Sequence, residues 1–201
     1  MFIRRENFRQ YLKMYPTVSV LIAMNLIVFI IQLLPVIGEI VFWGGMSING
    51  YIAEGQWWRV LTSMFLHADF FHLLFNMFSL FLFGPELEKI AGKMRFLTIY
   101  FLSGIFGSVV TFVIQPLDYA SVGASGAIYG IFGAFVALVY YTRHTFPQLK
   151  QIILPIVVIG VIMTFLQSGI NVASHLGGLV TGFVFGLFYF RPKNMLRWRN
   201  R

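Results

Sequence analysis

Residues 122–141 read VGASGAIYGIFGAFVALVYY, twenty residues without a single charge. At 1.5 Å per residue, a helix of that length is about 30 Å long, the thickness of a bilayer's hydrocarbon core. A water-soluble protein can bury one such segment but not a chain composed largely of them. Of the 201 residues, 58% are hydrophobic, 18% aromatic and only 11% charged, which is more apolar surface than a globule of this size can hide. The chain is therefore read as an integral membrane protein.

Comparable windows recur along the sequence. Six are placed, at roughly 17–36, 70–87, 96–115, 122–141, 151–167 and 172–190. The fifth carries Pro155, which a transmembrane helix tolerates because its neighbours can satisfy the freed carbonyl. Residues 37–69 are too rich in glycine and polar side chains to cross and are read as a long interfacial loop. The expected fold is an all-α membrane protein, a six-helix transmembrane bundle forming one domain over 1–201. Basic segments flank it at about 1–16 and about 191–201.

Charge placement tests this count independently. Arg4, Arg5, Arg9 and Lys13 precede the first span; Lys89, Lys93 and Arg95 lie between the second and third; Arg143 and Lys150 lie between the fourth and fifth. Arg191, Lys193, Arg197, Arg199 and Arg201 follow the sixth, so fourteen of the fifteen basic residues fall on one side and Arg59 alone on the other. The positive-inside rule then makes both termini cytoplasmic in a multi-pass protein of the cell membrane. The net charge of +8 is spread over every cytoplasmic segment instead of forming one patch, so it points to topology and anionic headgroups and not to nucleic acid. The basic start runs into a span too long for a signal-peptide core, with no small-residue cleavage site, and the first span is expected to remain. Without cysteine, disulfides, thiol catalysis and cysteine metal sites are excluded.

With six crossings and cytoplasmic termini, spans two, four and six all run inward from the outer face. His72 and Asn76 lie near the start of the second, Ser125 near the start of the fourth and His175 near the start of the sixth. These four polar groups share a depth within a turn or two of their helix starts. Polar groups there are costly and usually face a bundle interior or a water-filled cavity, although each alone could be packing glue between helices. Gly126, Gly130 and Gly133 on the fourth helix, and Gly178, Gly182 and Gly186 on the sixth, are spaced to let these two backbones approach. That approach could bring Ser125 and His175 together.

A hydroxyl becomes an effective nucleophile when a base takes its proton as it attacks, and imidazole suits that task near neutrality. Ser125 and His175 fit as nucleophile and base. Asp69 and Asp118 read as helix-end or loop residues, so a dyad is expected and not a triad. His72 and Asn76, four apart and on one helix face, can donate to a developing oxyanion together with the Ser125 backbone N–H. A metal protease is disfavoured: His67 and His72 lack an HExxH frame and no carboxylate joins them at depth. The Gly-x-Ser-x-Gly elbow of soluble hydrolases does not apply, since Ala127 stands at its last glycine and no strand precedes Ser125.

The ordered set GASG at 123–126, HLGG at 175–178 and HLLFN at 72–76, with WR at 58–59 and GPELEKIAG at 84–92, resembles the rhomboid family of intramembrane serine proteases along nearly the whole chain. The resemblance implies the minimal six-helix bacterial form. In it Ser125 would be the nucleophile, His175 the base, and His72, Asn76 and the Ser125 amide the oxyanion hole. Tyr129 would pack on the His175 ring and orient it. It also implies single-pass membrane proteins as substrates, cut within or just outside the lipid bilayer after small residues, and no cofactor or metal. An active site opening to the outer face, a lateral gate near the second and fifth helices and a cap loop at about 167–171 follow likewise. Ser174 stands where the family usually has alanine. The alternative is a catalytically silent relative that binds transmembrane helices; such proteins usually lose the serine or the histidine, and both are present here. A small transporter would place polar residues through the full depth of the membrane, whereas the inner halves of spans four and six are apolar and glycine-rich.

Three further expectations concern residues outside the site. Trp57, Trp58 and Arg59 are read as a headgroup anchor, His67 as a structural hydrogen-bonding residue, and Glu86 and Glu88 as caps or partners of nearby basic residues.

Overall fold

A computed structural model describes residues 5–194; Arg4 and the basic tail from residue 195 onward lie outside the described residues. The chain divides into two compact units: 1–97 with 112–125, and 98–111 with 126–201.

The first unit opens with α1 (Phe8–Met14) and α2 (Pro16–Gln32), bent at 110° to each other. Pro16 sits at the first turn of α2, where it has no N–H to lose and its fixed φ starts the new helix. A capping box between Asn7 and Gln10 closes the other end of α1. Tyr11 of α1 stacks on Phe81 at 5.0 Å, a residue of α6 (Phe70–Ala91). The Glu88 carboxylate of α6 accepts from the N–H groups of Thr17 and Val18 at 3.1 and 2.9 Å. An anion at the positive end of α2 satisfies donors that would otherwise be orphaned. Glu88 thus serves as a cap.

Past Gln32 the chain turns through Pro35 and Val36, the latter at φ 63, which ends the first span four residues earlier than the hydropathy window. The loop beyond is folded. It contains α3 (Ile37–Gly45), β1 (Ser47–Ile48), α4 (Asn49–Ala53), α5 (Arg59–Thr62) and a 3-10 turn (Ser63–Phe65). Its organiser is Arg59, only 6% exposed. One terminal nitrogen donates to the carbonyls of Trp43 and Met46, both at 2.7 Å, and Nε donates to Gln56 Oε1 at 2.8 Å. The guanidinium also lies over the Tyr51 ring. Arg59 is therefore an internal brace and not the headgroup anchor expected of it; Trp57 and Trp58 beside it are exposed, as belt residues are.

The same loop holds the segment that leads to Ser125. β1 pairs antiparallel with β2 (Ala120–Ser121), Ser47 opposite Ser121. Asn49 Nδ2 donates to the carbonyls of Gln115 and Pro116, and the Gly123 N–H to the Ser63 carbonyl at 2.9 Å.

The second unit takes the middle of α7 (Lys93–Ile114), α8 (Ser125–Thr142) from Gly126 onward, α9 (Pro147–Leu166) and α10 (Val172–Tyr189). α8 is its buried helix, with no exposed residue between Gly126 and Phe135. α9 is the opposite case: Val158, Ile159, Ile162, Met163, Phe165 and Leu166 are all about half exposed or more. An apolar face of that kind is stable in lipid and not in water.

α8 and α10 meet through their glycines. A Cβ on Gly178 would lie 2.0 Å from the Gly126 carbonyl oxygen, and one on Gly182 would lie 1.9 Å from that of Gly130. Only hydrogen fits at either place. Among the described residues, α6 to α10 are each long and apolar enough to cross a membrane, and the pair α1–α2, bent by 110°, is a sixth when counted as one span. The molecule is a multi-pass helical membrane protein.

Candidate active site

The residues expected to act fall into two groups, one in each unit. In the first, Asp69 caps α6: its Oδ1 accepts from the His72 N–H at 2.9 Å. That places His72 in the first turn and Asn76 one turn further along. Asn76 is buried, and its amide donates to the His72 carbonyl at 2.8 Å; Nδ2 carries a second N–H. His72 Nδ1 accepts from the Ala68 N–H in a long contact of 3.5 Å. In a neutral imidazole an accepting Nδ1 makes Nε2 the donor.

That Nε2 lies against Gly123. The glycine has φ +125, and a Cβ built there would sit 2.7 Å from His72 Nε2 and 3.8 Å from Ser125 Oγ. The conformation excludes side chains, and so does the space. One glycine thus lets the His72 ring and the Ser125 hydroxyl share the same stretch of backbone. Ser125 is the first residue of α8, where backbone N–H groups have no partner within the helix.

His67 lies behind His72. It is fully buried, and its ring stands edge-on to that of His72 with centroids 5.1 Å apart. Burial foremost, and then the neighbouring His72, push its imidazole down to about 3. It is neutral at any ordinary pH. The backbone of His67 exchanges two hydrogen bonds with the Gln32 side chain, at 2.9 and 3.2 Å, and so ties the start of α6 to the end of α2.

The second group is built around His175 on α10. Asn171 caps that helix, its Oδ1 accepting from the Ser174 N–H at 3.0 Å. Asn171 is in turn bonded to the Thr111 hydroxyl of α7, which donates to the Gly107 carbonyl. The Ser174 hydroxyl lies close to α7 and α8, at 2.9 and 2.6 Å from where Cβ atoms of Gly107 and Gly126 would stand. The His175 ring is buried and stacks on Tyr129 of α8 with centroids 4.0 Å apart and 18° between planes.

Thr164 of α9, only 1% exposed, completes this group. Its hydroxyl lies 2.9 Å from His175 Nδ1 and 2.7 Å from the Tyr129 hydroxyl, and the latter donates to the Gly160 carbonyl at 2.6 Å. The sequence pattern did not single Thr164 out. Its one signal was a hydroxyl in an apolar run, which in most membrane helices bonds only to its own backbone. Among the described residues no three His, Asp or Glu side chains are grouped as a metal ion would need.

These helices and side chains define a polytopic membrane protein with a hydroxyl, an imidazole and amide donors placed at helix starts. Residues 54–192 match the Rhomboid domain. The chain is 41% identical over 197 residues to the rhomboid-protease relative YdcA of Bacillus subtilis (strain 168), covering 96% of this chain and 98% of that one. It is 39% identical over 140 residues to the rhomboid protease GluP of the same strain, covering 69% of this chain but 27% of GluP. It is also 30% identical over 182 residues to the rhomboid protease AarA of Providencia stuartii, covering 78% and 64% of the two chains. The chain belongs to the rhomboid family of serine-type intramembrane proteases.

Proposed function

We propose that the protein is an endopeptidase that cuts single-pass membrane proteins in or near their transmembrane segments with a Ser125–His175 dyad, its whole length serving as one catalytic domain. In this reading Ser125 Oγ attacks the scissile carbonyl carbon while His175 Nε2 takes its proton. The oxyanion is held by the Ser125 N–H, His72 Nε2–H and the second N–H of Asn76. His175 then protonates the leaving amine, and water drawn from the outer face hydrolyses the acyl-enzyme. Both termini are cytoplasmic in the same reading, and the site opens outward.

The observation that carries the proposal is the His175 ring stacked on Tyr129. Tyr129 is four residues beyond Ser125 in one helix, and residues so spaced share a face. The Nε2–H of His72 lying beside Gly123 supports the same assignment from the oxyanion side.

A fluorophosphonate probe with mass mapping tests it. Wild type in bilayer discs is expected to be modified at Ser125, Ser125→Ala to be silent, and His175→Ala to react at least ~100-fold more slowly. Modification elsewhere, or none in wild type, contradicts the dyad.

A further inference from the structure

We infer that Thr164 is a positioning residue that holds His175 in the tautomer a general base requires, taking the place a carboxylate fills in a Ser-His-Asp triad. The inference rests on the dyad reading, although the tautomer itself can be measured without it.

Proton accounting leads to it. The Tyr129 hydroxyl, the Thr164 hydroxyl and the Gly160 carbonyl form a triangle of oxygens with sides of 2.6, 2.7 and 3.0 Å. Oxygens this close repel unless a proton lies between them. The triangle has two hydroxyl protons to serve its sides. If Thr164 spent its proton on His175 Nδ1, 2.9 Å away, the Tyr129 proton alone would remain for three short contacts. Two of the three sides, one of them no longer than 2.7 Å, would then bring lone pair against lone pair.

The conflict is least when the imidazole supplies its own proton. Nδ1–H donates to Thr164 Oγ1, Thr164 donates to the Tyr129 hydroxyl and Tyr129 to the Gly160 carbonyl, so both shorter sides carry a proton and only the 3.0 Å side lacks one. The nitrogen engaged by a neighbour decides which nitrogen is left to act, so Nε2 bears the lone pair. Thr164 is 1% and His175 7% exposed, and bulk water does not compete for the bond. Stacking on Tyr129 holds the ring plane, and Thr164 fixes its rotation within that plane.

The test is ¹⁵N-histidine spectroscopy of the full chain in bicelles, with the His175 signals identified by their loss in His175→Ala. Wild type is expected to show Nδ1 protonated and Nε2 bare. Thr164→Val, which keeps the shape and removes the hydroxyl, is expected to populate the opposite tautomer and to lower kcat about 10- to 100-fold with KM little changed. Thr164→Ser is expected to restore both to within about threefold. Wild-type His175 protonated at Nε2, or a Thr164→Val protein with unaltered tautomer and kcat, would overturn the inference. If wild type lacks activity while its tautomer follows Thr164, the dyad reading fails and the Thr164 assignment stands.

Discussion

Single atoms decide much of this structure. Gly123 is the clearest case, because both its φ of +125 and the 2.7 Å gap to His72 exclude a side chain. The glycine-serine motif was legible in the sequence, yet the need for this glycine was not, since it arises from a ring carried by another helix. His67 shows a related limit. Its position before α6 suggested a structural role, but its neutrality depends on burial and on His72, with the Phe65 carbonyl and Asp69 pulling weakly the other way. An imidazole whose folded value lies below the unfolded 6.5 gives stability that is complete above pH 6.5. That stability is lost as pH falls from there toward 3, by up to ~1.4 kcal/mol per unit. Unfolding midpoints between pH 7 and 4.5 should therefore drop more steeply for wild type than for His67→Leu. Parallel curves would show that another group sets the acid limit.

At the scale of elements, the apolar windows found the helices to within a few residues, because hydropathy responds directly to the thickness of the bilayer. What they could not give was the interior of the 37–69 loop. Its order comes from Arg59 reaching carbonyls 13 and 16 residues away in sequence and from the pairing of Ser47 with Ser121, contacts without local periodicity. The rotation of α9 was equally hidden, and with it Thr164, since nothing in an apolar run containing Pro155 says which side faces inward. The α8–α10 seam was legible, since glycines at spacings of three and four mark one helix face. It also makes a quantitative claim. Gly182→Ala places a methyl 1.9 Å from a backbone oxygen that cannot move aside, and should lower unfolding free energy by at least about 1–3 kcal/mol. Gly44→Ala in α3, where a Cβ meets nothing within 4 Å, should be neutral within about 0.5 kcal/mol or mildly stabilising. Equal effects in chemical denaturation would contradict the close seam.

For the whole molecule, composition and charge asymmetry identify a multi-pass protein, and the ordered motifs match the family that the comparisons establish. Function at this scale is a claim about where water meets a peptide bond in a membrane. Hydrolysis requires both, and under the proposed dyad they meet near the outer face, at the residues that open α6, α8 and α10. The most direct measurement is cleavage of single-pass substrates by purified protein in liposomes of known orientation, comparing wild type, Ser125→Ala and His175→Ala with mass mapping of the products. The account predicts cuts near the membrane face opposite the termini in wild type, at least ~1000-fold loss in both folded variants, and a ~100-fold slower Asn76→Ala. Cleavage that persists in Ser125→Ala, or that maps to the face on which the termini lie, would contradict it.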